Sequence, residues 1–147
     1  MLRVDFDELE PSDDFLLMNY GGEPFNGVAF ENDEYGNLVA ETSFNEGLKC
    51  GISREWSASG AIVREQWFAK NAMHGPSREW YENGSRKCEG FYELGICLKE
   101  QEWDANGVET KVYRIQEEGA QFAMLIKLRA SNVGLTISKS STLGYLE

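Results

Sequence analysis

The sequence predicts a mainly β fold: one elongated, twisted antiparallel sheet of tandem β-hairpin repeats, capped by a single C-terminal helix. The first observation behind this prediction is a phrase that occurs three times, at Ser53–Trp56, Ser77–Trp80 and Glu100–Trp103. The first two copies begin 24 residues apart, and the third tryptophan comes one residue early. The second observation is a glycine turn after each copy. A fixed period of this length is typical of repeat architectures.

Each repeat consists of two short runs around a turn that ends in glycine, at Gly36, Gly60, Gly84 and Gly107. Trp, Tyr, Phe, Val and Ile give the runs a preference for strands, and the runs are too short for helix pairs. We predict two-residue type I′ turns at Asn83-Gly84 and Asn106-Gly107, because this turn requires positive φ at both central positions. One hairpin cannot bury an apolar face alone, so neighbouring hairpins must pair and the ends must be capped.

We predict a single domain over residues 1–147. Its parts are an acidic N-terminal cap (1–22), four β-hairpin repeats (23–116), a helix (117–130) and a tail (131–147) that is loosely ordered or forms one short strand. Within the cap, Leu2–Phe6 alternates like a short strand and Phe15–Tyr20 is an apolar run of strand length.

The helix is predicted from spacing. Phe122, Leu125, Ile126 and Arg129 recur as one face of an amphipathic helix requires, and Met124 and Leu128 widen the apolar stripe. We expect this face to pack over the last hairpin. The helix then covers one end of the sheet.

The net charge of −11 is unevenly distributed. Residues 1–34 contain ten acidic residues against one basic residue, Arg3, and the rest of the chain is close to neutral. Strong acidity repels phosphate backbones, which argues against nucleic acid as a partner, and it attracts a basic protein. An acidic surface also keeps a protein in solution without any further role.

The composition predicts a cytoplasmic protein without a membrane partner. The three cysteines are odd in number and irregularly spaced, which argues for a reducing compartment. The opening Met1–Asp5 lacks the regions of a signal peptide, and no apolar run is long enough to span a bilayer.

A search for chemistry predicts no enzyme, cofactor or metal. The single histidine, His74, is expected in an exposed turn between repeats. Cys50, His74 and Cys97 occupy equivalent positions in successive repeats and resemble a zinc set, but equivalent positions should lie about 10 Å apart, too far for one ion. The same spacing separates Glu55, Glu79 and Glu102. We expect these glutamates to form cross-strand ion pairs with Arg54 and Arg78.

The tryptophan column of Trp56, Trp80 and Trp103 has two interpretations. The first is packing in the core or on the sheet surface. The second is an aromatic binding stripe, since tryptophan is enriched at interface hot spots.

The phrase Gly75–Gly84, followed by Cys88–Tyr92 and Gly95, closely resembles the MORN-variant repeat found in the YwqK-like antitoxin and immunity proteins of bacteria. The resemblance covers about residues 23–115. The lead-in segments Val4–Leu9 and Gly22–Val28 are also similar to those of such chains. The first repeat departs from the pattern with Asn32 in place of tryptophan, and the fourth lacks the opening glycine, as terminal repeats often do.

The resemblance implies a non-enzymatic protein that binds and neutralises a cognate toxin. The candidate partner-binding residues are Asp13, Asp14, Asp33, Glu34, Trp56, Trp80 and Trp103. The acidic members are expected to meet a basic toxin. The alternative is a MORN-like scaffold or adaptor that binds another cytosolic protein. The oligomeric state stays open, because an open sheet could pair edge to edge.

Overall fold

The computed structural model describes residues 1–132 and confirms a mainly β fold built of consecutive hairpins with one helix near the C-terminus. The predicted tail lies almost wholly outside the described residues. The elements are β1 (Arg3–Asp5), β2 (Glu10–Pro11), β3 (Met18–Tyr20), β4 (Glu23–Pro24), β5 (Gly27–Asn32), β6 (Leu38–Asn45), β7 (Leu48–Trp56), β8 (Ile62–Ala69), β9 (Ala72–Trp80), β10 (Arg86–Glu93), β11 (Ile96–Trp103), β12 (Glu109–Arg114) and α1 (Ala120–Ser131), with a short 3-10 helix at Phe6–Glu8.

Within residues 1–132, β1 and β5 to β12 form one nine-stranded sheet in the order β1-β5-β6-β7-β8-β9-β10-β11-β12. Strands β5 to β12 pair antiparallel with their sequence neighbours, and β1 pairs parallel with β5. Strands β2, β3 and β4 form a small separate sheet. The main sheet therefore has two long edges of turns: a hairpin-turn edge, at residues 33–37, 57–61, 81–85 and 104–108, and an inter-repeat edge, at residues 46–47, 70–71 and 94–95.

Type I′ turns occur at the inter-repeat edge and not at the two positions predicted for them. Lys70 and Asn71 have φ of 47° and 69°, and the pairs at 46–47 and 94–95 are alike. At Asn83-Gly84 and Asn106-Gly107 the prediction was wrong, because each glycine has positive φ and each asparagine does not. The Gly84 amide donates to the Tyr81 carbonyl at 2.9 Å, which makes a three-residue loop with a type I turn and a left-handed glycine. Glycine suits both geometries, so the dipeptide alone does not separate them.

A glycine opens each of the first three repeats, at Gly27, Gly51 and Gly75, and its geometry accounts for the length of the repeat. Gly75 has φ of 119°, and a Cβ atom there would lie 3.1 Å from the Trp67 Cβ atom. At this point a bulge places three residues of β9 opposite Trp67 alone. In the fourth repeat Leu98 follows Cys97 as Gly75 follows His74, the register shift is smaller, and β11 has eight residues instead of nine. The last repeat step is therefore 23 residues instead of 24 because the bulge in β11 contains fewer residues than the bulge in β9.

The N-terminal end of the sheet carries an apolar core. Phe25 is 1% exposed and packs against Phe44 with ring centroids 5.7 Å apart. The cluster consists of Val4, Leu9, Phe25, Ala29 and Phe44, with Phe6 and Met18 against it. The residues before β5 thus cover the first hairpin.

The helix covers the opposite end of the sheet, as expected, although it begins at Ala120 rather than at 117. Leu125 is fully buried and Phe122 packs against the same cluster, which contains Phe91, Leu98, Ile115 and Leu125. Ile126 was assigned to this face wrongly and is exposed. The Arg129 guanidinium donates to the fully buried Glu93 carboxylate at 2.9 and 2.6 Å and ties α1 to β10.

Within residues 1–132, no helix is both long and apolar enough to cross a membrane.

Candidate protein-binding site

The middle of the sheet presents charged rows on both faces. On one face Arg64 lies between Glu55 and Glu79, with nitrogen–oxygen distances of 3.0 and 3.2 Å. On the other face Glu65 lies between Arg54 and Arg78, at 3.1 and 3.4 Å. These side chains are partly exposed, so each row is a solvated ion-pair ladder.

The pairing partners differ from those expected. Arg54 and Glu55 are adjacent on β7 and therefore point to opposite faces, so Arg54 cannot pair along the glutamate column. Arg64, on the intervening strand, donates hydrogen bonds to both Glu55 and Glu79 instead. The spacing argument itself is consistent with the sheet, since equivalent strands are separated by one strand. Register, which the repeat period leaves undetermined, decides the partners.

The tryptophan column lies near the hairpin-turn edge. Trp103 is only 9% exposed, and the Arg86 guanidinium carbon lies 4.3 Å from its ring centroid. The Tyr81 hydroxyl donates to the Trp103 carbonyl at 2.9 Å. Trp56 and Trp80 are half-buried. Trp103 thus packs within the sheet, whereas the rings of Trp56 and Trp80 remain partly exposed.

The four candidate acidic residues do not form one patch. Asp33 and Glu34 lie in the first turn of the hairpin-turn edge. Asp13 and Asp14 lie in the β2–β3 loop, whose Leu16 carbonyl accepts from Asn71 Nδ2 at the inter-repeat edge, at 3.4 Å. The eight residues of β6 separate the two edges, a distance of about 25 Å. A single partner contact with all four side chains would have to cross the sheet.

Two of these carboxylates also build their own turns. Asp33 accepts from the backbone amides of Tyr35 and Asn37 and from the Asn37 side chain, and this last bond most strongly lowers the Asp33 pKa. Asp14 accepts from the Ser12 hydroxyl at 2.6 Å, the main cause of its lowered pKa. Asp13 and Glu34 are exposed. Asp14 and Asp33 therefore have a structural role in their own turns.

The β2–β3 loop presents apolar surface that the sequence interpretation missed. Phe15 is 81% exposed and Leu16 is 66% exposed. Phe15 has φ of 58°, the left-handed region that bulky residues rarely adopt. Phe15 and Leu16 were predicted as part of a strand, but β3 begins only at Met18. The acidic pair Asp13-Asp14 before an apolar run was the available signal for a turn that begins earlier.

A different titratable cluster comes together near the C-terminal end. Ligand atoms of Cys88, Glu100 and Glu102 lie within 4.8 Å of one another. Lys111 contacts both carboxylates, at 2.6 and 3.1 Å, and they raise its pKa, Glu100 most strongly. Burial raises the pKa of the Cys88 thiol to about 12, with Glu100 adding to it. A neutral thiol beside carboxylates already paired with lysine is a poor metal set. We assign this cluster to sheet stability.

His74 does not lie in an exposed turn. The inter-repeat turn ends at Asn71, so His74 belongs to β9 and is half-buried. Its Nδ1 accepts from the Leu94 amide at 3.0 Å, as Asn26 Oδ1 accepts from the Glu46 amide at 2.8 Å. His74 therefore supports the next inter-repeat turn.

Comparison with known proteins gives little to add to this geometry. No family model matches the chain, and no curated protein matches it. Among solved structures, one similar chain belongs to the crystal structure of accessory secretory protein 1, 2 and 3 in Streptococcus pneumoniae. The two chains are 18% identical with a TM-score of 0.36, and the match covers 79% of this chain and 20% of that chain. This likeness supports no inference about function.

Proposed function

We propose that this chain is a MORN-like repeat protein that binds and neutralises a cognate bacterial toxin, as an immunity protein does. The observation that carries the proposal is the repeat phrase itself, Gly75–Gly84 with Cys88–Tyr92, which resembles the MORN-variant repeat of such proteins. The proposal assigns the chain no catalytic step. Its three free cysteines suit a cytoplasmic site of action, where a delivered toxin would be met.

The distribution of charge supports a basic partner. Arginine and glutamate side chains pair with one another across the middle strands, so this region contributes little net field. Residues 1–34 carry a net charge of −9 with Arg3 as their basic residue, and Arg3 pairs with Glu41. The uncompensated negative charge therefore lies at the N-terminal end. Such a field raises the rate at which a cationic protein associates.

The test is capture followed by a toxicity assay. The tagged full-length chain is purified from its source cells, and proteins that remain bound are identified by mass spectrometry. Each candidate is then expressed in a heterologous bacterium with and without this chain. We expect at least one bound protein to stop growth alone and to be harmless when co-expressed.

If every bound protein is harmless when expressed alone, the proposal is contradicted and the scaffold or adaptor alternative is supported. The matched control is the chain with Glu93→Ala and Arg129→Ala, which removes the ion pair between α1 and β10 but leaves residues 1–34 unchanged. If protection depends on the N-terminal end, this control retains it.

A further inference from the structure

The β2–β3 loop, residues 12–17, holds an exposed aromatic ring in a strained backbone. Non-glycine residues in the left-handed region cost about 1 kcal/mol or more and persist where the surroundings over-determine them. At Phe15 the ring itself obtains little from the fold, since it is 81% exposed. Because packing within the chain does not compensate for this backbone strain, the exposed ring points to contact with another molecule.

The loop is held by its own hydrogen bonds. The Ser12 amide donates to the Leu17 carbonyl at 2.9 Å, and the Phe15 amide donates to the Ser12 carbonyl at 2.8 Å. Asp14 Oδ1 accepts from the Leu16 amide, and Ser12 Oγ accepts from the Leu17 amide. The loop thus needs little ordering when a partner arrives, which lowers the entropic cost of binding.

The loop is also fixed to the main sheet. The Met18 amide donates to the Gly47 carbonyl at 2.8 Å, and the Asn71 side chain donates to the Leu16 carbonyl. A mainly apolar groove of about 300 Å³ lies between the loop and the sheet, lined in part by Phe15, Leu17 and Phe44 and also by Lys49. Phe15 and Leu16 therefore form one continuous apolar surface with this groove.

We propose that Phe15 and Leu16 anchor the partner of this chain, by inserting into an apolar pocket of a basic protein. This inference rests on the proposed protein-binding function and names its contact. Asp13 and Asp14 directly precede the two apolar residues and are exposed, so a complementary pocket carries lysine or arginine on the side that meets them. The same charge disfavours a second copy of this chain, at −11, and an anionic membrane surface.

Tyr35 provides a matched control. It is 81% exposed like Phe15 and follows the acidic pair Asp33-Glu34, but it lies at the hairpin-turn edge. Its φ is not positive. A general stickiness of exposed aromatic rings would act at both positions.

The first experiment is photo-cross-linking in the source cells with Phe15→p-benzoylphenylalanine and, separately, Tyr35→p-benzoylphenylalanine. We expect an adduct with a basic protein from position 15 and none with that protein from position 35. The proposal is overturned by no adduct at position 15, by the same adduct at both positions, by an adduct of two copies of this chain, or by an acidic partner.

In the second experiment the partner identified by cross-linking is purified in its free form, and its binding to the Phe15→Asn and Tyr35→Asn variants is measured by calorimetry. Asparagine tolerates the left-handed conformation, so Phe15→Asn should raise the urea midpoint of unfolding while it weakens binding about tenfold or more. Tyr35→Asn should leave affinity unchanged. Unchanged affinity of Phe15→Asn overturns the anchor, even if the partner is a toxin; a harmless partner with weakened binding overturns only the immunity function.

Discussion

The ends of the sheet and its middle carry different kinds of side chain: buried apolar residues at the ends and partly exposed ion pairs in the middle. At the N-terminal end Phe25 and Phe44 lie in an apolar cluster, and at the C-terminal end Leu98 and Leu125 lie in another. Strands β7, β8 and β9 contribute no side chain to either cluster in the described residues, and their arginine and glutamate side chains form ladders on both faces. Apolar burial contributes more stability than exposed ion pairs, so the ends should stabilise the middle.

This difference has a physical basis in the repeat. A hairpin in mid-sheet has neighbours on both sides, so its backbone groups are paired and both faces can stay solvated. A terminal hairpin has one free edge and needs a cover. The cover comes from the residues before β5 at one end and from α1 at the other. The following predictions probe this division between ends and middle, from the largest expected effect to the smallest.

Phe25→Ala should have the largest effect, because it empties the centre of the N-terminal cluster. The expected loss in free energy of unfolding is about 4 kcal/mol, from lost burial and the remaining cavity. Urea denaturation followed by tryptophan fluorescence measures it. An exposed ring serves as the control, and Tyr35→Ala should cost less than about 0.5 kcal/mol. Equal losses would remove the distinction between ends and surface.

Arg129→Ala should cost about 3 kcal/mol, because it leaves the buried Glu93 carboxylate without its charged partner. Adding Glu93→Ala should restore much of this loss, since Ala69 occupies the corresponding position one repeat earlier. Chemical denaturation of the two single variants and the double variant completes the cycle. Additive losses would mean that the ion pair does not act as a unit.

Arg64→Ala removes the central cation of one ladder and should cost only about 1 kcal/mol, because the pair is partly exposed. The difference from the wild-type chain should shrink in about 1 M salt, where the Debye length is about 3 Å. Arg64→Met, which keeps an apolar stem, is the control for lost packing. A loss as large as that of Phe25→Ala would show that the middle strands are the main source of stability.

The smallest expected effect is the contribution of the Cys88 thiol to the pH dependence of the free energy of unfolding. The sign of this contribution follows from the raised pKa of the thiol. The folded chain keeps a proton to about pH 12 that an unfolded thiol loses near about pH 8.5. Stability from this group is therefore complete below about pH 8 and falls as the pH rises. Relative to Cys88→Ala, the wild-type chain should lose about 0.5 kcal/mol between about pH 8 and about pH 10, a figure reduced for solvent screening. Denaturation curves at both pH values would contradict this if the two chains changed in parallel.

The sequence by itself determined the order of hairpins, the turn positions and the helix near the C-terminus. These features depend on short-range rules: strand length, glycine in left-handed turns, and helical spacing around Leu125. A period of 24 residues repeats these local signals, so few topologies remain. The candidate acidic and tryptophan residues could also be named from the sequence, as members of a charged segment and a repeated column.

Only the tertiary structure decided which of those residues meet. It paired Arg64 with Glu55 and Glu79, brought Glu93 to Arg129 and set Asp13 and Asp33 at opposite edges. The reason is register: a bulge at each repeat shifts which side chains face one another, and the repeat period alone does not specify that shift. Phe15 was missed for a related reason, because contacts with Gly47 and Asn71, far along the chain, hold its loop in place.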